Sequence, residues 1–350
     1  MLGITVFAGT ITQMSDYARQ LHTVDLHTGG EPLRVVLSGL PPLPAGTMLQ
    51  KRAWLREHHD DLRRFLMLEP RGHADMYGAY LFPPVSPGAD FGVIFLHNEG
   101  YSDMCGHGII ALGRLLVELG MVERQSPRTR IAFDAPAGFI EAWVEWDGRH
   151  AGRTTFRNVP GFIYRRDVAV RTRDFGAITG DIVFGGAFYY YLTAPDGLSI
   201  APENVRTLIE LGAQAKAAVV AQIPIRHPLE PDLDQLYGSI IDGPPNAASV
   251  GADQSNVCIF ADREVDRSPT GTGSSGRAAQ LFLRGRLGLN QAYVNASIVG
   301  SRFEVRVVEA VKIGPFDGAI TEVTGEAHIM GFNHWVLERE DPFPQGFFLR

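Results

Sequence analysis

One short sequence frame occurs twice in this chain, and the repeat constrains the fold more than any other feature. Residues 102–108 read SDMCGHG and residues 265–273 read VDRSPTGTG, and each Gly-x-Gly opens an apolar run. An offset of 165 residues superposes further pairs: Cys105 on Thr270, Gly106 on Gly271, Gly108 on Gly273, Leu116 on Leu281 and Gly120 on Gly285. Chance is the alternative, since the chain has 39 glycines. Because both copies follow strand-like sequence and precede helix-like sequence, we predict two similar α/β lobes with a cleft between them.

Hydrophobic periodicity places the main elements. It predicts helices over residues 47–66, 106–119, 202–221 and 271–283, separated by short strands with glycine-bearing turns. We predict an amino-terminal lobe over residues 14–163 that carries Cys105 and a carboxy-terminal lobe over residues 164–339 that carries Thr270. Residues 340–350 are expected to return to the first lobe, and residues 1–13 to form a disordered extension.

Composition narrows the class of protein. Hydrophobic residues make up 45% of the chain and charged residues 20%, which is enough for a sizeable core. The net charge of −7 argues against a broad nucleic-acid or anionic-membrane surface, although a local basic patch stays open. Two cysteines are not a disulfide framework, so we expect a reducing, cytoplasmic location. We expect no membrane span and no secretory signal, because no apolar run reaches about 18 residues and the apolar start lacks a preceding basic residue.

Cys105 is the strongest candidate for chemistry. A thiol at a helix N-terminus faces free N–H groups and the positive end of the helix dipole, which can lower its pKa from about 8.5 to roughly 3.5–7.5. We therefore predict a thiolate that acts as a base or a nucleophile; the alternative is a buried cysteine that only packs. Cys258 lies in the apolar segment NVCIFA, which predicts a packing role.

The two glycine frames also predict an anion site. Each offers backbone N–H groups at a helix start, and two such sites facing each other could hold one carboxylate. The alternative is that the glycines only permit tight turns. A nucleotide-phosphate loop is less favoured, because the lysine of that motif is missing. Asp266 beside this cradle suits the amine of an amino acid, but a surface pair with Arg267 or a helix cap is equally compatible with the spacing.

The sequence gives weaker evidence for the remaining candidate site residues. His107 can contact a ligand through its ring or through its backbone N–H. Glu31, in HTGGEP, is interpreted as a turn or interlobe residue. The eleven histidines form no metal-binding spacing, and the three lysines lie outside any site-like context, which disfavours pyridoxal-phosphate chemistry.

Several long motifs in order resemble the proline racemase family, which includes hydroxyproline 2-epimerases and trans-3-hydroxy-L-proline dehydratases. They are DLHTGGEPLRVV (25–36), SDMCGHG (102–108), VDRSPTGTG (265–273), SIVGSRF (297–303) and DPFPQGFFL (341–349). The resemblance implies two pseudo-symmetric lobes of the diaminopimelate epimerase type, each a curved sheet around a central helix. It further implies no metal, no other cofactor and commonly a homodimer. Substrate contacts carried over from the family fall on Gly106, His107, Asp266, Gly271 and Thr272.

The sequence departs from the racemases at one catalytic position. The resemblance implies two catalytic cysteines, but only the first is present, as Cys105, and Thr270 occupies the second position. A hydroxyl is too weak an acid to cycle as a thiol does, so proton exchange between the two faces of the substrate should be crippled. A one-base reaction stays possible, and we expect dehydration of trans-3-hydroxy-L-proline, with a small imino acid as the partner. The alternatives are an epimerase or racemase, a thiol hydrolase and a non-catalytic amino-acid-binding protein.

Overall fold

The computed structural model describes residues 17–349 and contains a mixed α/β fold with few helices. The predicted extension over residues 1–13 lies outside the described residues. Strands of the first half of the chain are β1 Arg19–Thr28, β2 Glu31–Ser38, β3 Tyr77–Phe82, β4 Phe91–His97, β5 Tyr101–Ser102, β6 Arg128–Ala135, β7 Gly138–Trp146 and β8 Ala151–Arg157. Strands of the second half are β9 Gly161–Arg171, β10 Ala177–Phe184, β11 Phe188–Thr193, β12 Leu236–Gly243, β13 Gln254–Phe260, β14 Glu264–Asp266, β15 Tyr293–Ala296, β16 Arg302–Ile313, β17 Phe316–Gly325 and β18 Ala327–Leu337.

Five α-helices accompany these strands in the described part of the chain. They are α1 Met48–His58, α2 Asp60–Met67, α3 Gly106–Glu118, α4 Val205–Gln222 and α5 Gly271–Leu283. None of them combines the length and apolarity that a bilayer crossing requires.

The helices α3 and α5 lie at the centres of the two halves. Helix α3 packs against β7 and β8, and α5 packs against β9, β16 and β17. The side chains of Ile109, Ile110, Leu112, Leu115 and Leu116 are fully buried, on more than one face of α3. A helix that is apolar on all sides must be enclosed by protein, which explains why strands surround it.

Hydrogen bonds link the two halves into one continuous sheet. Strand β18 pairs antiparallel with β1, and β17 pairs with both β8 and β9. Near the carboxyl terminus, Phe347 bridges to Glu69, and Arg71 contacts Asp341. Residues beyond Ala327 thus contact the first half of the chain, and the lobe boundaries stay a prediction.

The predicted helices agree with the structure to within one residue at each end, apart from a break in the first helix and a later start of the third. The helix expected over residues 47–66 is two helices, because His59 has φ −140° and ψ 30° and breaks the helical path. Asp60 and Asp61 then form the acidic first turn of α2, where they complement its dipole. The helix expected from residue 202 begins at Val205, after a short 3₁₀ turn over Pro202–Asn204.

Candidate active site

The seven residues predicted for the site all line one cavity at the N-termini of α3 and α5. They are Cys105, Gly106, His107, Asp266, Thr270, Gly271 and Thr272. Sequence reasoning missed six other lining residues or gave them other roles: Glu31, Tyr77, Tyr189, Tyr237, Cys258 and Phe260; Met104 also contributes. The fold therefore brings both copies of the repeated frame to one cavity.

Two glycines allow the helix starts to meet. A methyl group built on Gly106 would lie 2.5 Å from the Cα of Gly271, and the reverse substitution gives the same distance. No real side chain fits at that separation, so both positions require glycine for close approach rather than for a turn. Because the first N–H groups of a helix have no partner within it, the contact brings two sets of donors to one cavity.

Cys105 is the N-cap of α3. Its Sγ accepts a hydrogen bond from the N–H of Gly108 at 3.2 Å, and Nδ1 of His107 lies 3.2 Å from the same sulfur. The predicted fall in pKa is wrong for this environment. Burial raises the pKa of the Cys105 thiol well above its usual range, and the Gly108 hydrogen bond opposes this only in part. The thiol is therefore protonated at neutral pH unless a positive charge joins it.

His107 is a neutral base of low strength. Burial lowers its pKa to about 3, despite a hydrogen bond to the backbone of Pro32. Its carbonyl accepts a hydrogen bond from Oγ1 of Thr28 at 2.9 Å, which fixes the start of the helix. A thiol hydrolase needs a histidine that can take the thiol proton, and this ring is poorly suited to that task.

Thr270 opposes Cys105 in a different conformation. Its φ is +60°, a region that β-branched residues rarely adopt, and its side chain makes no capping hydrogen bond. Oγ1 is buried and makes no hydrogen bond of normal geometry within residues 17–349, but it lies near enough to Asp266 and Cys258 to lower the pKa of each. A strained residue with an unsatisfied buried hydroxyl is typical of a ligand-binding position.

Two buried carboxyl groups, Asp266 and Glu31, line the cavity. Asp266 accepts a hydrogen bond from the N–H of Ser268 at 2.8 Å, and burial raises its pKa. Arg267 pairs with Glu31 at 3.0 Å rather than with Asp266, so the surface-pair interpretation of Asp266 is wrong. Glu31 is fully buried, its Oε1 has no partner among the described residues, and burial raises its pKa well above the usual range.

Cys258 is buried, as its apolar strand predicted, but it also lines the cavity. Burial raises the pKa of its thiol, as does Asp266, while the nearby side chain of Thr270 lowers it. Tyr189 hydrogen-bonds Oγ1 of Thr272 at 2.7 Å and holds that residue at the cavity wall. No pattern in the sequence pointed to these contacts, since they depend on how strands align.

The part of the chain that the structure describes contains no cluster of three or more histidine, cysteine, aspartate or glutamate side chains suited to a metal ion. The cavity instead combines helix-terminal N–H donors, one thiol at a helix cap and carboxyl groups. Such an arrangement can bind an amino acid zwitterion and move a proton at its α-carbon.

Residues 23–348 match the family model described as proline racemase, and the chain belongs to that family. Two relatives and one solved structure show more specifically which members of the family this chain is similar to. The chain is 56% identical to a trans-3-hydroxy-L-proline dehydratase of Burkholderia cenocepacia (strain HI2424), covering 95% of this chain and 99% of that one. It is 55% identical, over the same shares, to a 3-hydroxyproline 2-epimerase of Burkholderia multivorans (strain ATCC 17616 / 249). It also resembles the crystal structure of a hydroxyproline epimerase from Agrobacterium vitis with bound trans-4-hydroxy-L-proline. That match has a TM-score of 0.89 and 30% identity, and covers 95% of this chain and 97% of the other.

Proposed function

We propose that this chain is a cofactor-independent hydro-lyase that converts trans-3-hydroxy-L-proline to Δ1-pyrroline-2-carboxylate. The observation that carries the proposal is the asymmetry of the cavity: a thiol at one helix start and a hydroxyl, Thr270, at the matching position of the other. The dehydratase name of a relative at 56% identity agrees with it.

The bound substrate is held by charge and by backbone donors. Its carboxylate receives hydrogen bonds from the helix-terminal N–H groups of Gly106, His107, Gly271 and Thr272. Its secondary ammonium group pairs with Asp266, a buried carboxyl group whose neighbour Arg267 forms its ion pair with Glu31. The ammonium also supplies the positive charge that favours a thiolate at Cys105.

The stereochemistry of the substrate suits one base. In trans-3-hydroxy-L-proline the α-hydrogen and the 3-hydroxyl lie on the ring face opposite the carboxylate. Cys105 on that face removes the α-proton, and the hydroxyl leaves from the same face in a syn elimination. The enamine product then tautomerises to the cyclic imine. Thr270 contacts the substrate from the opposite side and delivers no proton.

The test is formation of the cyclic imine from trans-3-hydroxy-L-proline by the purified protein. We expect Cys105→Ser to lower kcat/KM by at least about 1000-fold, since serine is a far weaker base at this position. Binding of pyrrole-2-carboxylate, a planar analogue of the carbanion, checks that the variant retains a folded site. Absence of imine with wild-type protein, or an active Cys105→Ser variant, contradicts the proposal.

A 2-epimerase is the second candidate function. The 3-hydroxyproline 2-epimerase name of a relative at 55% identity favours it, as does the position of the Cys258 thiol beside Thr270. An epimerase inverts Cα without loss of water, so chiral chromatography of the recovered substrate distinguishes the two reactions. Inversion that outpaces imine formation selects the epimerase.

The family resemblance also supports a homodimer, and the cysteine content supports a cytoplasmic location; both belong to the proposal. Light scattering coupled to size-exclusion chromatography measures the oligomeric state. A monomeric mass for the active protein contradicts it.

A further inference from the structure

Three hydroxyl groups form a cluster in the wall of the cavity. The Tyr77 hydroxyl contacts Oγ of Ser102 and lies 3.3 Å from the Tyr237 hydroxyl, and Ser102 Oγ lies 2.9 Å from that of Tyr237. Tyr77 and Tyr237 line the cavity together with Cys105, and Tyr77 and Ser102 are buried. We call these residues the hydroxyl cluster. It joins the two halves of the chain, since Tyr237 lies on β12 and the other two lie on β3 and β5.

The hydroxyl cluster lies beside the catalytic thiol. The Tyr77 ring meets the ring of His107 edge-on with centroids 4.9 Å apart, and His107 contacts Cys105. Interaction with the Tyr77 side chain lowers the pKa of the Cys105 thiol, against the larger effect of burial. Burial raises the pKa of Tyr77 well above its usual range, so the phenol keeps its proton and acts as a donor.

Removal of the α-proton needs only a base, whereas departure of the hydroxyl also needs a proton donor. Hydroxide is the conjugate base of water, which is a very weak acid, so a proton must reach the oxygen as the C3–O bond breaks. The leaving oxygen is on the face of the ring that Cys105 approaches. A donor beside Cys105 is therefore on the correct side.

We propose that Tyr77 is a further catalytic residue, which donates its phenolic proton to the departing 3-hydroxyl while Ser102 and Tyr237 orient it. This inference rests on the proposed dehydratase function.

The step balances without a further reactant. Cys105 takes the α-proton, the Cα–H electron pair forms the Cα–C3 double bond, and the C3–O bond breaks. The oxygen takes the proton of Tyr77 and leaves as water. The Cys105 thiol, now carrying the α-proton, returns a proton to the Tyr77 oxygen, and the protein regains its starting state.

The experiment compares two leaving groups in wild-type protein and Tyr77→Phe. trans-3-Fluoro-L-proline yields the same cyclic imine, but fluoride is the base of a much stronger acid than water and needs little protonation. We expect Tyr77→Phe to lower kcat/KM for the hydroxyl substrate by about 100-fold or more and for the fluoro substrate by less than about tenfold. Tyr190→Phe is the matched control, because it removes a phenol hydrogen bond, 2.8 Å to the carbonyl of Val168, outside the cavity lining. It should change neither value by more than about twofold.

Equal losses with both substrates would mean that Tyr77 only supports the structure, and no loss with either would mean that it takes no part; both results overturn the inference. If Tyr77→Phe fails to fold, the double variant Ser102→Ala/Tyr237→Phe provides the same comparison. It should lower kcat/KM for the hydroxyl substrate by about tenfold and lower that for the fluoro substrate less. If the ratio of the two kcat/KM values equals that of the wild-type protein, the inference is overturned. A wild-type protein that makes imine from neither substrate contradicts the proposed function itself.

Discussion

The starts of α3 and α5 carry the same sequence frame but differ in the capping residue. Cys105 has an extended backbone, with φ −141° and ψ 109°, and its sulfur caps the helix. Thr270 has φ +60° and caps nothing, although it follows the same strand-to-helix path. A β-branched residue in this conformation costs on the order of 1–3 kcal/mol, which the surrounding structure must offset.

This difference in capping indicates that the starts of α3 and α5 have different roles, although their sequence symmetry suggests the same role. The cap bond to Gly108 ties the Cys105 sulfur to the helix dipole, which stabilises negative charge on it. The hydroxyl of Thr270 lies near Asp266 and Cys258 but makes no hydrogen bond of normal geometry among the described residues, which leaves it available to a ligand. In the proposed reaction, the start of α3 therefore supplies the base and the start of α5 only contacts the substrate.

The largest expected effect comes from exchanging the two residues. In the double variant Cys105→Thr/Thr270→Cys, the thiol would approach the ring face that has no α-hydrogen in the L-substrate. We expect imine formation from trans-3-hydroxy-L-proline to fall by at least about 1000-fold, as for loss of the base. Imine assays measure this, and pyrrole-2-carboxylate binding controls for folding. Substantial activity in the exchanged protein would show that the two helix starts are interchangeable.

The glycine contact should be the next most sensitive feature. Gly106→Ala places a methyl group 2.5 Å from Gly271 and must push the helix starts apart. We expect the free energy of unfolding to fall by about 1–3 kcal/mol and activity by about 100-fold, because small displacements disrupt the N–H cradle. Gly100→Ala is the matched control, since a methyl group there meets nothing within 4 Å. Equal behaviour of the two variants, by denaturant unfolding and the imine assay, contradicts the close-contact argument.

The raised pKa of Cys105 predicts the pH dependence of the reaction. If the thiolate of the free protein is the base, kcat/KM should rise about tenfold per pH unit through neutral pH and level off only in the alkaline range. A plateau that begins near pH 6 would instead support the lowered pKa that the sequence indicated.

The same raised pKa predicts that the free energy of unfolding falls as pH rises. A folded-state pKa above the unfolded value of about 8.5 stabilises below that pH and is lost as pH rises through the folded value. Wild-type protein should therefore lose more stability than Cys105→Ser between about pH 8 and pH 10, measured by denaturant unfolding.

The sequence predicted those elements whose determining residues lie close together in the chain. The helices α3 and α5 were predicted nearly to the residue, because their periodic apolar residues and their flanking glycines are adjacent in the chain. Glu31, Tyr77 and Tyr237 were not predicted as site residues, because strand register brings them to the cavity from distant positions. The direction of the Cys105 pKa was also missed. A helix terminus can be recognised locally, but the burial that outweighs it depends on the other half of the chain.

The smallest effects come from Thr270 itself, and they test what its hydroxyl contributes. Thr270→Val keeps the β-branched shape, and so the same backbone strain, but removes the hydroxyl; Thr270→Ser keeps the hydroxyl. Because Oγ1 is buried and unpaired in the described residues, its loss should leave the free energy of unfolding unchanged or slightly higher. We expect kcat/KM to fall about tenfold in the valine variant and about threefold in the serine variant, since only valine removes the proposed ligand contact. Unfolding measurements and the imine assay on the same preparations separate the two quantities. A valine variant that loses stability but keeps full activity would show that Thr270 serves the fold, and the contrast between the two helix starts would then be structural rather than catalytic.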